Sequence, residues 1–304
     1  MTSTPARSSC SEVSQVEGHS HGFGLASPSW RANLDVVVTV LIARLKVISR
    51  YKGSLVMEMF LPVVFAAMPI LLGVAVGGAN AGQYFQANTG TSNFKLYMLI
   101  GACTFSVVSI MLWLVGYWLR REQETGTLES IYLAPARQVY VLTGVTIYSL
   151  LRALLAFVVS LVIGSLVFGV NLLEGNVLGA IGILMLGLLP LWGLSMLFGA
   201  FILRVKEANS VINVMTWVVS FLMGVFFPIT MFPPLLQWVA AIFPPTIMND
   251  AMRASMLNLS TFFGSWYISL AVMFAAALTV PLVGYGVFTF TGRSVWRKEG
   301  VGQY

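Results

Sequence analysis

The chain has 304 residues, 58% of them hydrophobic and only 9% charged, with a net charge of +6. A soluble domain carries about a quarter charged residues, so this composition excludes a water-soluble globular protein and makes the bilayer the solvent for most of the chain. The positive balance is no nucleic-acid footprint, because Lys and Arg of membrane proteins gather in cytoplasmic loops and set orientation. Cys10 and Cys103 sit in unlike settings, a polar stretch and an apolar run, and point to neither a structural disulfide nor a metal site. His19 and His21 both fall in that polar stretch and are read as solvated.

Residues 1–29 are rich in Ser, Gly and charge, lack the apolar core of a signal peptide, and read as a disordered tail. In residues 30–52, Leu34, Val37, Val38, Leu41, Leu45 and Ile48 recur at helical spacing. Arg31, Arg44, Lys46, Arg50 and Lys52 fill much of the remainder. A basic helix with one apolar stripe lies in the membrane interface rather than across it. Residues 55–76 form the first run long enough to span, with Pro62 and Pro69 inside and Glu58 in its first turn. An acidic group there is either functional or one that snorkels or meets a basic neighbour. Residues 77–94 are polar, glycine-rich and uncharged. Residues 96–119 are the second span.

A polar island, RREQETGTLESIYLAPAR, occupies residues 120–137. Arg120 and Arg121 close the preceding run, and Glu122, Glu124 and Glu129 follow. Thr127 is placed to cap a helix with Glu129 in its first turn, where acidic groups are favoured. Pro135 ends that helix early. A short helix with an acidic front edge, hung between two spans, suits docking to a soluble partner. Residues 139–170 are apolar for longer than one crossing needs and contain Arg152. Arg152 has three readings: a headgroup contact, a salt bridge within the bundle, or a substrate contact. After a short polar turn, residues 177–203 form the fourth span, with Pro190 inside. Arg204, Lys206 and Glu207 make a compact charged loop, and residues 210–229 are the fifth span. Residues 231–256 break the pattern. Their apolar centre, residues 235–243, is bracketed by proline pairs. Nine helical residues cover about 14 Å, under half of the hydrocarbon thickness. Such a segment dips in and returns. Asp250 and Arg253 share a face of a following short helix. Residues 266–290 are the sixth span, and Arg293, Arg297 and Lys298 close the chain.

Two ordered motifs resemble the ABC-2 type permeases, membrane subunits of one class of ATP-binding-cassette exporters. The first is Glu122, Glu124, Gly126, Thr127, Leu128, Glu129 and Pro135. The resemblance implies that this island is the coupling helix seated in a groove of the ATPase. The second is Gly224, Phe226, Phe227, Pro228, Pro233, Pro244, Asp250 and Arg253. It implies two short re-entrant helices on the outer side, between the last two spans. The resemblance also implies an interfacial helix before the first span. The expected fold is thus an all-α membrane protein. It has a tail (residues 1–29), an interfacial amphipathic helix (30–52) and a six-span domain (53–304) carrying the coupling and re-entrant helices.

Six spans put both termini on one side. That side holds all the basic loop residues except Lys95 and Arg253, which places the termini and the island in the cytoplasm of a multi-pass protein of the cell membrane. No lysine follows a glycine, so the chain has no phosphate-cradling G-K-[ST] and is not the ATPase. Neither H-E-x-x-H nor G-x-S-x-G occurs, which disfavours a membrane zinc protease or a serine hydrolase. The resemblance implies a non-catalytic permease, paired with a second permease and with ATPase subunits that bind the ATP and Mg. The expected cargo is a hydrophobic drug, antibiotic or lipid. A lipid-linked polysaccharide is the alternative, although Trp113, Trp118, Trp192, Trp217, Trp238 and Trp266 mostly suit interface or lipid-facing positions rather than a lumen. An ATP-independent carrier is a third reading, but residues 55–170 and 177–290 show no convincing repeat.

Overall fold

A computed structural model describes residues 30–50, 52–125, 138–205 and 207–299. The expected tail, residues 1–29, and most of the island, residues 126–137, lie outside the described residues. Within them every regular element is helical. Helix α1 (Trp30–Arg50) precedes the long apolar α2 (Lys52–Gly77). Residues 77–94, polar and uncharged in sequence, are helical rather than irregular over much of their length. A short 3₁₀ turn leads into α3 (Ala81–Thr89), which Gly90 terminates in the left-handed conformation. Then come α4 (Phe94–Glu124), α5 (Gln138–Phe168), α6 (Val177–Ile202) and α7 (Ala208–Leu222). Two short helices, α8 (Pro234–Ile242) and α9 (Pro244–Leu257), begin on the expected prolines. The described chain ends in α10 (Trp266–Glu299).

Among the described residues five stretches are long and apolar enough to cross a membrane: α2 with α3, then α4, α5, α6 and α10. The expected fifth span, residues 210–229, differs. Its helix α7 has 15 residues, about 22 Å at 1.5 Å per residue, short of the roughly 30 Å of a hydrocarbon core. The chain leaves the helix at Met223 and turns through Gly224, whose φ is +56°. The apolar run continues to residue 229, so hydropathy alone does not register the break.

Helix α4 is the axis of the bundle. Of its apolar stretch 67% is buried, against 22–39% for the other four. It packs on α2, α5, α6, α7 and α9. The lipid-like exposure of the outer helices is ordinary where the solvent is hydrocarbon. Helix α1 lies against α5. Val37 faces the bundle, while Leu34, Val38, Ile42 and Leu45 form a neighbouring apolar stripe that is exposed. Asp35, Thr39, Lys46 and Arg50 take the remaining face. Helix α1 thus has one side against the bundle, one exposed apolar stripe and one exposed polar face.

The closest helix pair is α6 with α10. A Cβ on Gly193 would stand 2.4 Å from the Pro281 nitrogen, and one on Gly284 would stand 2.3 Å from the Gly193 carbonyl oxygen. Small residues at such contacts let backbones touch when no hydrophobic drive pushes helices together. Gly284→Ala is therefore expected to cost about 1–3 kcal/mol by overpacking. Gly286→Ala, with nothing within 4 Å of the added carbon, is the control. Thermal unfolding in detergent should show a drop for the first and none for the second; equal midpoints would contradict the contact.

Candidate functional site

A groove of about 600 Å³ opens between α2, α4 and α7. Helix α4 forms its back wall with Ala102, Phe105, Ser106, Ser109, Ile110, Trp113, Leu114 and Tyr117. These residues recur at spacings of three and four, as one face of a helix must. Helix α2 adds Glu58, Leu61, Pro62 and Phe65, and α7 adds Thr216 and Trp217. The tryptophan reading from sequence needs correction here. Trp113 lines the groove and Trp118 is buried in the core, whereas Trp217, also at the groove, is exposed in keeping with the expectation. Trp238 is exposed, as expected. Composition does not say which face of a helix a tryptophan occupies.

Glu58 and Arg152, singled out separately in sequence, meet. Arg152 Nε donates to Glu58 Oε2 at 2.6 Å. Its Nη1 reaches the Tyr148 hydroxyl at 3.2 Å and its Nη2 the Ser54 hydroxyl at 2.9 Å. Of the three readings of Arg152, the salt bridge within the bundle is the one observed. The pair ties α2 to α5 beside Pro62, and Ser160 of α5 adds a 2.5 Å bond to the Met59 carbonyl in the same turn. Burying either charge alone is costly; together they share the penalty.

A second polar cluster explains why α7 stops. Its last carbonyls are taken one after another by side chains of α9. Thr246 Oγ1 donates to Leu222 O at 3.1 Å and Asn249 Nδ2 to Met223 O at 3.0 Å. Arg253 Nη1 donates to Gly224 O at 2.9 Å and its Nη2 to Val225 O. Arg253 Nε also reaches Tyr97 O at 3.2 Å, and the guanidinium lies 3.7 Å over the Tyr97 ring centroid. Residues 246, 249 and 253 stand at i, i+3 and i+7, so one face of α9 caps one helix end. Every helix terminus leaves such orphan carbonyls, and here they have no need of water. Gly101 makes the approach possible: a Cβ there would sit 2.0 Å from Val225 O.

Asp250, expected on the face of Arg253, has a different partner. Its Oδ2 accepts the Phe262 backbone N–H at 2.7 Å and anchors the turn before α10. Burial pushes its carboxyl above the usual range, against the Phe262 N–H and the charge of Arg253. Burial likewise lowers the Arg253 guanidinium. Phe227 packs edge-on against Phe232 and Phe221, and Pro228 precedes the short turn at Ile229. Pro233 and Pro244 stand at the starts of α8 and α9. Gly224 takes the left-handed conformation, and a Cβ there would meet Phe227 O at 2.6 Å. Thr246, Asn249 and Gly101 escaped the sequence reading. A polar stripe at i, i+3, i+7 in an apolar helix was the available signal for the first two; Gly101 carried none.

The island begins where α4 ends. Glu122 meets Arg44 of α1 at 3.6 Å, and Glu124 is the last residue of the helix. Burial lowers the Arg44 guanidinium, and Glu122 opposes that shift. Gly126, Thr127, Leu128, Glu129 and Pro135 lie outside the described residues. Among the described residues no group of three His, Cys, Asp or Glu is arranged to hold a metal.

Five membrane-length helices packed around a groove, with an ion pair tying two of them together, define a multi-pass membrane protein. The ABC-2 type transporter family model matches residues 37–257, well over half of the chain, which therefore belongs to that family as a permease-type component. Membership implies association with an ABC ATPase subunit. The match ends at α9, so α10 is held to the family core by its contact with α6. No curated protein matches the chain.

Two outcomes follow from the cap and its neighbour. Arg253→Lys keeps the charge but cannot hold three carbonyls and a ring together, and is expected to destabilise by at least about 2 kcal/mol through unpaired carbonyls. Unfolding in detergent checks this; a wild-type midpoint would contradict it. For Asp250 the sign is worked from its raised folded-state value. The folded chain holds the proton more tightly than the unfolded chain, whose aspartate has the ordinary value of 3.8. Its contribution is complete below that value and is lost as pH rises through the raised one. Wild type should therefore gain stability over Asp250→Asn as pH falls from 7. A difference independent of pH would contradict this.

Proposed function

We propose that this chain is the permease half of an ATP-driven exporter in the cell membrane, with both termini and the island in the cytoplasm. A second permease, identical or related, completes the path, and two ATPase subunits bind the ATP and Mg. The observation that carries the reading is the continuity of α4. One helix of 31 residues forms the back wall of the groove and ends at Glu122 and Glu124. Force applied at the island therefore reaches the groove through a single rigid rod. Glu122, Glu124, Gly126, Thr127, Leu128, Glu129 and Pro135 are the proposed seat on the ATPase. The Arg44 contact to Glu122 extends the same push to α1, which lies along the inner membrane surface in this reading. Helices α8 and α9 dip into the outer leaflet and return, held by the cap on α7. The crossing begun by α7 is completed by residues 223–229.

ATP closure of the partner dimer shifts the spans between two arrangements, as a bistable element biased by nucleotide. The groove supports a hydrophobic drug or a lipid better than a sugar chain. Ser106 and Thr216 spend their hydroxyl protons on carbonyls of their own helices, Cys103 O and Ile212 O. The rest of the wall is chiefly apolar and aromatic.

The test is co-purification with a co-expressed ABC ATPase, reading ATP turnover. Glu124→Ala and Glu129→Ala should each lower coupled turnover by about tenfold, a usual scale for coupling between sites. A chain that recruits no ATPase, yet moves solute in vesicles without ATP, contradicts the proposal and favours a carrier.

A further inference from the structure

We propose that the groove is a site for lipophilic cations, whose charge rests against the free oxygen of Glu58. As a statement about transported substrate this rests on the exporter reading; as a binding site it stands alone. Glu58 lines the groove and Arg152 does not. Arg152 hydrogen-bonds to Oε2, and Oε1 accepts no hydrogen bond among the described residues. The pair thus presents its negative end to the groove and keeps its positive end behind α2. Ser54 and Tyr148 hold that guanidinium in place, so it cannot swing round to cover the second oxygen without losing them.

The remaining walls suit the same guest. Phe65, Phe105, Trp113, Tyr117 and Trp217 supply aromatic rings around the cavity. Aromatic faces attract cations, most strongly where water is excluded. No Lys, Arg or His lines the groove among the described residues. An anion would meet a carboxylate and no counter-charge there, and a neutral apolar guest would leave Oε1 unsatisfied. A cation buried in aromatic or alkyl substituents satisfies both the rings and the oxygen. The volume of about 600 Å³ admits a molecule of drug size.

The probes are tetraphenylphosphonium and tetraphenylborate, nearly the same shape with opposite charge. Each is titrated separately by calorimetry into the full chain in a neutral detergent. The phosphonium should bind about tenfold tighter or better, 1.4 kcal/mol or more. Glu58→Gln should abolish that preference. Because it leaves Arg152 uncompensated, the double variant Glu58→Gln, Arg152→Gln is measured beside it and should show the same loss. Trp217→Leu, at an exposed wall position, should weaken the phosphonium severalfold without touching the ion pair. Equal binding of the two ions, or a folded Glu58 variant that keeps the preference, overturns the inference. A chain that binds phosphonium selectively but recruits no ATPase sinks the exporter reading and spares the site. A chain that recruits the ATPase and shows no preference sinks the site alone.

Discussion

Four consecutive carbonyls, from Leu222 to Val225, set the geometry of this molecule. They end a helix inside an apolar bundle, where water is not at hand to satisfy them. Three side chains on one face of α9 take them all. The guanidinium of Arg253 suits this task because its donors fan out in a plane and it is weakly hydrated. It is buried without a carboxylate directly bonded to it. The negative end of the α7 dipole, the Tyr97 carbonyl and the Tyr97 ring supply the compensation. In hydrocarbon the alternative is a set of bare carbonyls, each costing several kcal/mol.

That clamp has a consequence for motion. It locks α4, α7 and α9 together at one end of the groove, with Gly101 allowing the close approach. At the other end the links are of a different kind. Glu58 and Arg152 join α2 to α5, and Arg44 and Glu122 join α1 to α4. Among the described residues no side-chain hydrogen bond or ion pair ties α4 to α7 near Tyr117 and Trp217. Two helices held by hydrogen bonds at one end and by apolar contact at the other, where Ile212 packs on Gly116, part more readily at the apolar end when that end is pushed. The proposed push arrives through α4, the most buried helix, which cannot bend away without disturbing five neighbours.

Much of this was legible in the sequence. Long apolar runs gave the five membrane-length helices, because in lipid a span must be a helix that satisfies its own backbone. The proline pairs gave α8 and α9, and the alternation of basic and apolar residues gave α1. The losses have physical causes. Helix α7 stops inside a run that stays apolar to residue 229, so hydropathy missed its end. Residues 77–94 showed only polarity and glycine in sequence, and nothing in that marked the helix α3 that Ala81, Gln83 and Gln86 help form. Glu58 and Arg152 are far apart in the chain and only the packing of α2 on α5 joins them. The groove is a property of faces, and composition placed Trp113 and Trp118 on the wrong ones. Asp250 and Arg253 were flagged correctly as neighbours, but their partners are backbone groups that no residue pattern names. Most of the island rests on its sequence motif alone.

The central claim is that α4 carries motion from the island to the groove. Spin labels at Tyr117→Cys and Trp217→Cys, with Cys10 replaced, report the gap between α4 and α7 by electron–electron distance measurement. The account predicts one distance without nucleotide and a different one when ATP is trapped, in the complex with the ATPase and not in the permease by itself. A distance that ignores ATP in an assembled, ATP-hydrolysing complex would contradict it.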